Sequence, residues 1–190
     1  MPGQRDGAKQ SPLRFIKGGL TSEIVWKGIR IVAAPKEAKP FVPEAFAFEE
    51  DTFLVMSADP TVRDPKRPLI RIMSDLIEAQ PRLPGTVLVQ GTSPVRLLAI
   101  IHDFNEDPSW KEDWIKEAFV GIFEAAARLN LRSVALPLLG TVHGSLDRQR
   151  AMQFLAQGVR SRPLHELLSL WLIVPAGKAR TDLDLLKSYL

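Results

Sequence analysis

The most regular alternation of apolar and polar positions lies in the second half of the chain. Ile115, Phe119, Ile122, Phe123 and Ala126 fall on one stripe at helical spacing. In front of them Ser109-Trp-Lys-Glu112 reads as a capping box, in which hydroxyl and carboxylate each satisfy a backbone donor. Asn130 is placed to end that helix in a left-handed conformation. Residues 133–139 then form a nearly unbroken apolar run, the pattern of a parallel strand buried on both faces. The run leads into Gly140-Thr-Val-His-Gly144-Ser145, with a helix predicted over 146–159 and Ser145 as its cap. Residues 168–174 predict a last strand, closed by Pro175 and Gly177, and Thr181 is placed to cap a final helix bearing Leu183, Leu186 and Leu190.

The first half is patterned less regularly. Residues 24–33 read as one partly exposed strand. Pro35, Pro40 and Pro43 mark residues 35–50 as an irregular surface excursion, and 52–57 reads as a short buried strand. Asp64-Pro65 predicts a helix start, with Leu69, Ile70, Met73, Leu76 and Ile77 at helical spacing behind it. Residues 86–90 and 95–101, separated by Gly91-Thr-Ser-Pro94, predict an antiparallel hairpin. Strands and helices alternating around such a hairpin predict an α/β fold: a three-layer α/β/α sandwich on a mixed, mostly parallel sheet.

Composition narrows this picture. A length of 190 residues with 45% hydrophobic content suits one core, expected over residues 21–190. Residues 1–20 are expected to form a basic arm, with Arg5, Lys9, Arg14 and Lys17 among Gly, Pro, Gln and Ser. The absence of cysteine excludes disulfides, thiolate metal sites and a cysteine nucleophile. No apolar run reaches the roughly 18 residues of a membrane span, and the first residues lack a signal-peptide core, so a cytoplasmic location is expected. A net charge of +3 favours anionic ligands without demanding nucleic acid, for which the basic arm is the weakly supported point of contact.

The chemistry concentrates where the apolar strand meets its turn. Gly140, Thr141, Val142, His143, Gly144 and Ser145 lead into a helix start, where free N–H groups and partial positive charge attract an oxyanion. A tight turn without ligand has the same pattern. His143 offers an imidazole between the two glycines; His102 and Asp103 close a strand at the sheet edge where α/β proteins place ligands. Each histidine also has a plain reading, one as a solvated loop residue and the other as a buried group satisfied by its neighbours. Arg63, Lys66 and Arg67 form a basic stretch, and Trp110 and Trp114 suit either stacking or packing. No metal site or cofactor is expected.

In order and spacing, the second half resembles a macro domain, the module known for binding ADP-ribose and in some members for cleaving its linkages. Ala99-Ile-Ile-His102 is similar to the family's strand ending in Val-Ile-His, and Leu136-Pro-Leu-Leu-Gly-Thr-Val-His-Gly-Ser-Leu146 to its diphosphate loop, with a helix of the expected length between them. The resemblance covers residues 86–190. It implies ADP-ribose or a related nucleotide diphosphate as ligand, held by 140–145, with Asp59, His102 and Asp103 nearby. The chain departs from the family at its Asn-Ala-Ala-Asn strand end and glycine run. The corresponding stretch is taken as 56–67, with Met56 and Asp59 in place of the asparagines. The acidic residue expected before that strand has no match in pattern, although Glu49, Glu50 and Asp51 lie close by. Val142 stands where a glycine is usual, which would strain a backbone with positive φ. Asp147 puts a carboxylate near any phosphate, with Arg148 and Arg150 available to offset it.

The expectation is therefore a binding module without catalysis. One alternative is an ADP-ribosyl hydrolase using Asp59, Asp103 or His143. Another is a ligand-free interaction or assembly domain, with Val142 filling the phosphate position. Oligomeric state is left open. The binding expectation requires the amide hydrogens of the turn to converge on one open spot.

Overall fold

A computed structural model describes residues 20–56 and 80–190. Seven strands form a single mixed sheet: β1 (Ser22–Trp26), β2 (Ile29–Ala34), β3 (Ala45–Asp51), β4 (Val87–Gln90), β5 (Val95–His102), β6 (Ser133–Pro137) and β7 (Ser169–Ile173). Their order across the sheet is β1-β2-β7-β6-β3-β5-β4. The inner five run parallel, while β1 pairs with β2 and β4 with β5 antiparallel at the two edges. Three helices follow in the second half: α1 (Glu112–Arg128), α2 (Arg148–Arg160) and α3 (Ala179–Tyr189). The predicted mixed sheet, the 86–101 hairpin and the alternation after it are all present.

Three of the sequence expectations are corrected. The run 24–33 is not one strand but a hairpin, because Lys27 and Gly28 both take positive φ, at 45° and 84°. Two consecutive left-handed residues make the tight turn whose twist matches the strands on either side. The surface excursion expected over 35–50 in fact contains β3, a central strand, and the strand expected from Thr52 onward is a turn. Prolines 35, 40 and 43 stop just short of the Ala-Phe-Ala-Phe alternation that forms it. The helix expected behind Asp64-Pro65 lies outside the described residues, as do the arm and Asp59.

Each face of the sheet buries a separate cluster. On one, Ile31, Ala33, Ala47, Leu97, Ala99, Ile101, Val134, Leu136, Leu170 and Leu172 meet the apolar stripes of all three helices. The stripe predicted for α1 is fully buried. On the other face Val32, Ala34 and Ala135 surround Trp171. Its indole nitrogen donates to the Ala34 carbonyl at 3.0 Å, and the rings of Phe41 and Phe46 meet it edge-on, each at 6.2 Å. Satisfying the one polar atom of so large a side chain is what allows it to be fully buried.

The helix termini also differ in detail. Helix α1 starts at Glu112 with Lys111 extended before it and no side-chain cap. Ser109 instead turns back to the end of β5, where its carbonyl accepts the Asp103 N–H at 2.6 Å. Asn130 ends the helix at φ 53°, as predicted, and the Leu131 N–H returns to the Ala126 carbonyl. Asp147, not Ser145, caps α2 by accepting the Arg150 N–H at 3.1 Å, so the carboxylate near the loop serves the helix itself. Helix α3 begins at Ala179, and Thr181 donates to the Lys178 carbonyl instead of capping. Arg148 and the buried Asp182 form a bidentate pair that ties α2 to α3.

Phe119, with no exposed surface, fills the space between the sheet and Gly158 of α2. Phe119→Ala is expected to lower the unfolding free energy by about 3–5 kcal/mol in urea titration, the range for an aromatic core truncation that leaves a cavity.

Candidate functional site

Strand β3 lies between β6 and β5. Its C-terminal end, the end of β5 and the turn after β6 therefore meet at one edge of the sheet, where parallel α/β folds place their ligands. The turn is shaped from behind. Gly140 adopts φ 80°, and a Cβ there would strike Ile115 of α1. A Cβ on Gly144 would lie 2.5 Å from the Gly140 carbonyl oxygen and 3.2 Å from the Trp110 indole. That carbonyl accepts the Leu146 N–H at 3.1 Å, and the Thr141 hydroxyl and amide both bond the Leu138 carbonyl. With its back packed and the Leu138 and Gly140 carbonyls engaged, the turn presents N–H groups forward.

Those N–H groups do converge, and on a carboxylate of the chain itself. Glu49 Oε1 accepts from Gly140 at 2.7 Å and, more weakly, from Val142 at 3.4 Å, while Oε2 accepts from His143 at 3.0 Å. His102 Nε2 lies 3.3 Å from the same Oε2, and its Nδ1 is 3.3 Å from the Ser109 hydroxyl. The side chains of Glu49 and His102 are each 1% exposed. Successive amides aimed into a concavity form an anion-binding nest, and this nest holds the Glu49 carboxylate. The open spot required by the sequence reading is thus filled in the described structure. The plug is Glu49, not Val142. Val142 is 55% exposed and absent from the positive-φ residues, so the β-branched side chain causes no strain and leaves the phosphate position alone.

The other predicted residues are spread around this nest. His143 is exposed, with its ring 6.4 Å from that of His102 in a T-shaped arrangement. Ser145 is exposed and Thr141 half-buried. Asp103 is half-buried and bends the chain after β5, its Oδ1 accepting both the backbone and the side-chain N–H of Asn105 at 3.0 Å. Trp110 packs on the loop, and Trp114 lies under the Lys111 ammonium at 4.7 Å. Among the described residues no group of three His, Asp or Glu is arranged to hold a metal.

Sequence reading missed the role of Glu49. The available signal was the pattern Ala45-Phe-Ala-Phe48 running straight into Glu49-Glu50-Asp51. A central strand that ends in three acidic residues must satisfy buried carboxylates, which are rare unless paired. Here each is engaged. Asp51 Oδ1 and Oδ2 accept the Phe53 and Met56 N–H groups, both at 2.8 Å, and Glu50 Oε1 accepts the Asp51 N–H at 3.0 Å. Just beyond them the buried Thr52 hydroxyl lacks a hydrogen-bond partner among the described residues.

Glu49→Ala removes the acceptor from the loop amides and leaves His102 without its carboxylate. It is expected to lower the unfolding free energy by about 1–3 kcal/mol. Hydrogen exchange followed by NMR should show Gly140 and His143 exchanging at least about tenfold faster while Leu136 in the sheet keeps its protection, the mark of local opening.

The sequence matches no family model and no curated protein. Solved structures do match. The Oceanobacillus iheyensis macrodomain with ADP superposes with a TM-score of 0.61 at 11% identity over 89% of this chain and 94% of the other. The macro domain of ganglioside-induced differentiation-associated protein 2 gives a TM-score of 0.60 at 11% identity, covering 84% of each chain. The macrodomain of Thermus aquaticus DarG gives 0.57 at 16% identity over 75% of this chain and 97% of that one. The chain has the macrodomain fold.

Proposed function

We propose that this chain is a binding module for ADP-ribose or a related nucleotide diphosphate, in which the ligand's oxyanion enters by exchange with the Glu49 carboxylate. The observation that carries the reading is the convergence of the Gly140, Val142 and His143 amides on one oxyanion. A loop that already holds a carboxylate in this way has the donors and the curvature for a phosphate oxygen. The likeness to a macrodomain solved with ADP supports the choice of ligand, and the net charge of +3 favours an anion.

Exchange has a cost. Glu49 must leave a site where it accepts three backbone N–H groups and contacts His102, so the binding-competent state is a minor one. If that state is about 1% populated, apparent affinity falls about a hundredfold below the intrinsic value. No hydrolytic step is assigned. Glu49 and His102 are occupied with each other and with the loop, and Asp103 with its turn, so no described carboxylate or imidazole of this cluster stands ready as a base apart from the exposed ring of His143.

The near-complete burial of Glu49 and His102 favours a second reading, in which the carboxylate never leaves and the fold serves as an interaction or assembly domain. Calorimetric titration with ADP-ribose separates the two. The exchange reading expects weak binding by the native chain, about 10–100-fold tighter binding by Glu49→Ala, and an intermediate value for Glu49→Gln, which keeps the bulk but not the charge. Equal affinity in native and Glu49→Ala chains would remove the exchange. No heat from any of the three, with both variants folded by near-UV circular dichroism, would leave the second reading in place.

A further inference from the structure

At the opposite end of the sheet, where β2 and β7 begin, the structure has a second concave surface unrelated to the loop. A groove of about 600 Å³ runs between the β1–β2 turn and the segment after α2. Lys27, Arg160, Arg162 and His165 contribute to its walls together with Trp26, and no acidic residue lines it. Two carboxylates lie close by without lining it: Glu124 pairs with Arg162 at 3.0 Å, and Glu166 follows His165 in sequence. Arg160 forms no ion pair among the described residues and is exposed, as are Lys27 and His165. A basic residue at a helix C-terminus ordinarily answers the helix dipole, which accounts for Arg160 alone. It does not account for Lys27 on the hairpin or His165 beyond the helix, which the fold brings to the same groove from separate elements.

The aromatic component narrows the chemistry. Trp26 is half-buried, packed on one side against the core. The Lys27 ammonium sits 4.7 Å from the centre of its ring. The turn that positions both is tight, with Lys27 and Gly28 at positive φ, and β2 is tied to β7 beside it by the Arg30 N–H to Leu168 carbonyl bond of 2.9 Å. An indole that carries the exposed Lys27 ammonium over its ring, along an open groove with further cations, matches a strand of unpaired bases: a base displaces the ammonium from the aromatic face, and the released ammonium and the guanidinium groups take the phosphates. A duplex hides its base faces, and an acidic peptide has no use for the indole.

We propose that this groove binds single-stranded nucleic acid, with Trp26 as the stacking surface and Lys27, Arg160 and His165 as phosphate contacts. The site stands independently of the nucleotide loop, since β7 alone puts about 16 Å between the two ends of the sheet.

The test is fluorescence anisotropy of a short labelled oligodeoxyadenylate with the full-length chain at several salt concentrations. Native protein is expected to bind with strong salt dependence. The double variant Lys27→Glu, Arg160→Glu should weaken binding at least about tenfold and flatten the salt slope by roughly 0.7 for each phosphate that is no longer neutralised. Arg160→Glu alone keeps the hairpin intact and should produce part of the effect. Trp26→Ala should weaken binding about tenfold with little change in slope, because stacking releases no counterions. Arg180→Glu, a charge reversal at an exposed residue away from the groove, should change affinity less than about twofold. The proposal is overturned if native protein does not bind, if Arg180→Glu weakens binding as much as Arg160→Glu, or if Trp26→Ala has no effect. It is also overturned if a duplex of equal length or polyglutamate competes as well as the unlabelled single strand, or if a mononucleotide suffices to displace it. Titration of the same variants with ADP-ribose should match the native chain, which separates this site from the Glu49 nest.

Discussion

The carboxylate of Glu49 joins three parts of the chain that are far apart in sequence. It projects from the central strand β3, receives the amides of the turn after β6, and touches the imidazole at the end of β5. Each contact answers a need created by folding. The turn must leave its N–H groups forward because Gly140 and Gly144 press its other side against Trp110 and Ile115, and N–H groups that lose water without gaining an acceptor are costly. A buried carboxylate needs donors for the same reason. Each would destabilise the fold alone; together they satisfy one another.

On the proposed reading that junction decides what an incoming ligand would meet. An empty nest would draw an oxyanion with the free energy of unpaired donors, whereas this one already carries negative charge. On the proposed reading a diphosphate would trade places with the Glu49 carboxylate, and selectivity would rest on how readily Glu49 can be accommodated elsewhere. Val142 and His143 are exposed and sit on the nest's outer rim. On the proposed reading they would meet what approaches, while Glu49 and His102 would determine whether it can enter.

How legible this was in sequence depended on whether the signal was local. The α1 stripe, the β4–β5 hairpin, Asn130 as helix terminator and the strand–turn–helix around Gly140 were all readable, because each is written within about a dozen consecutive residues. Strand β3 was not. Its alternation of Ala and Phe is short, it follows three prolines, and its last residues are acidic, so local rules assign it to the surface. Only its neighbours β5 and β6 make it central. The error then carried into the site. With the strand end sought at Met56 and Asp59, the acidic residues at 49–51 were left without a role. The loop was identified from its glycines, but the group filling it was invisible, because no spacing in the sequence relates position 49 to position 140.

The same reasoning explains why Ser109 and Asp147 exchanged their expected duties with other residues. A serine just ahead of a helical stripe is a natural cap, yet Ser109 lies where β5 ends, and the unsatisfied Asp103 N–H and His102 Nδ1 are closer than any helix terminus. Asp147 in turn caps α2, which leaves Ser145 free in the loop. The Ser109 carbonyl takes the Asp103 N–H and its hydroxyl meets the His102 ring, while the Asp147 side chain takes the Arg150 N–H; each partner is set by the packing of the sheet. Polar residues at this edge thus report on tertiary structure first, and the donors of the Gly140 turn, gathered on the Glu49 carboxylate from a strand more than ninety residues earlier, are the clearest case.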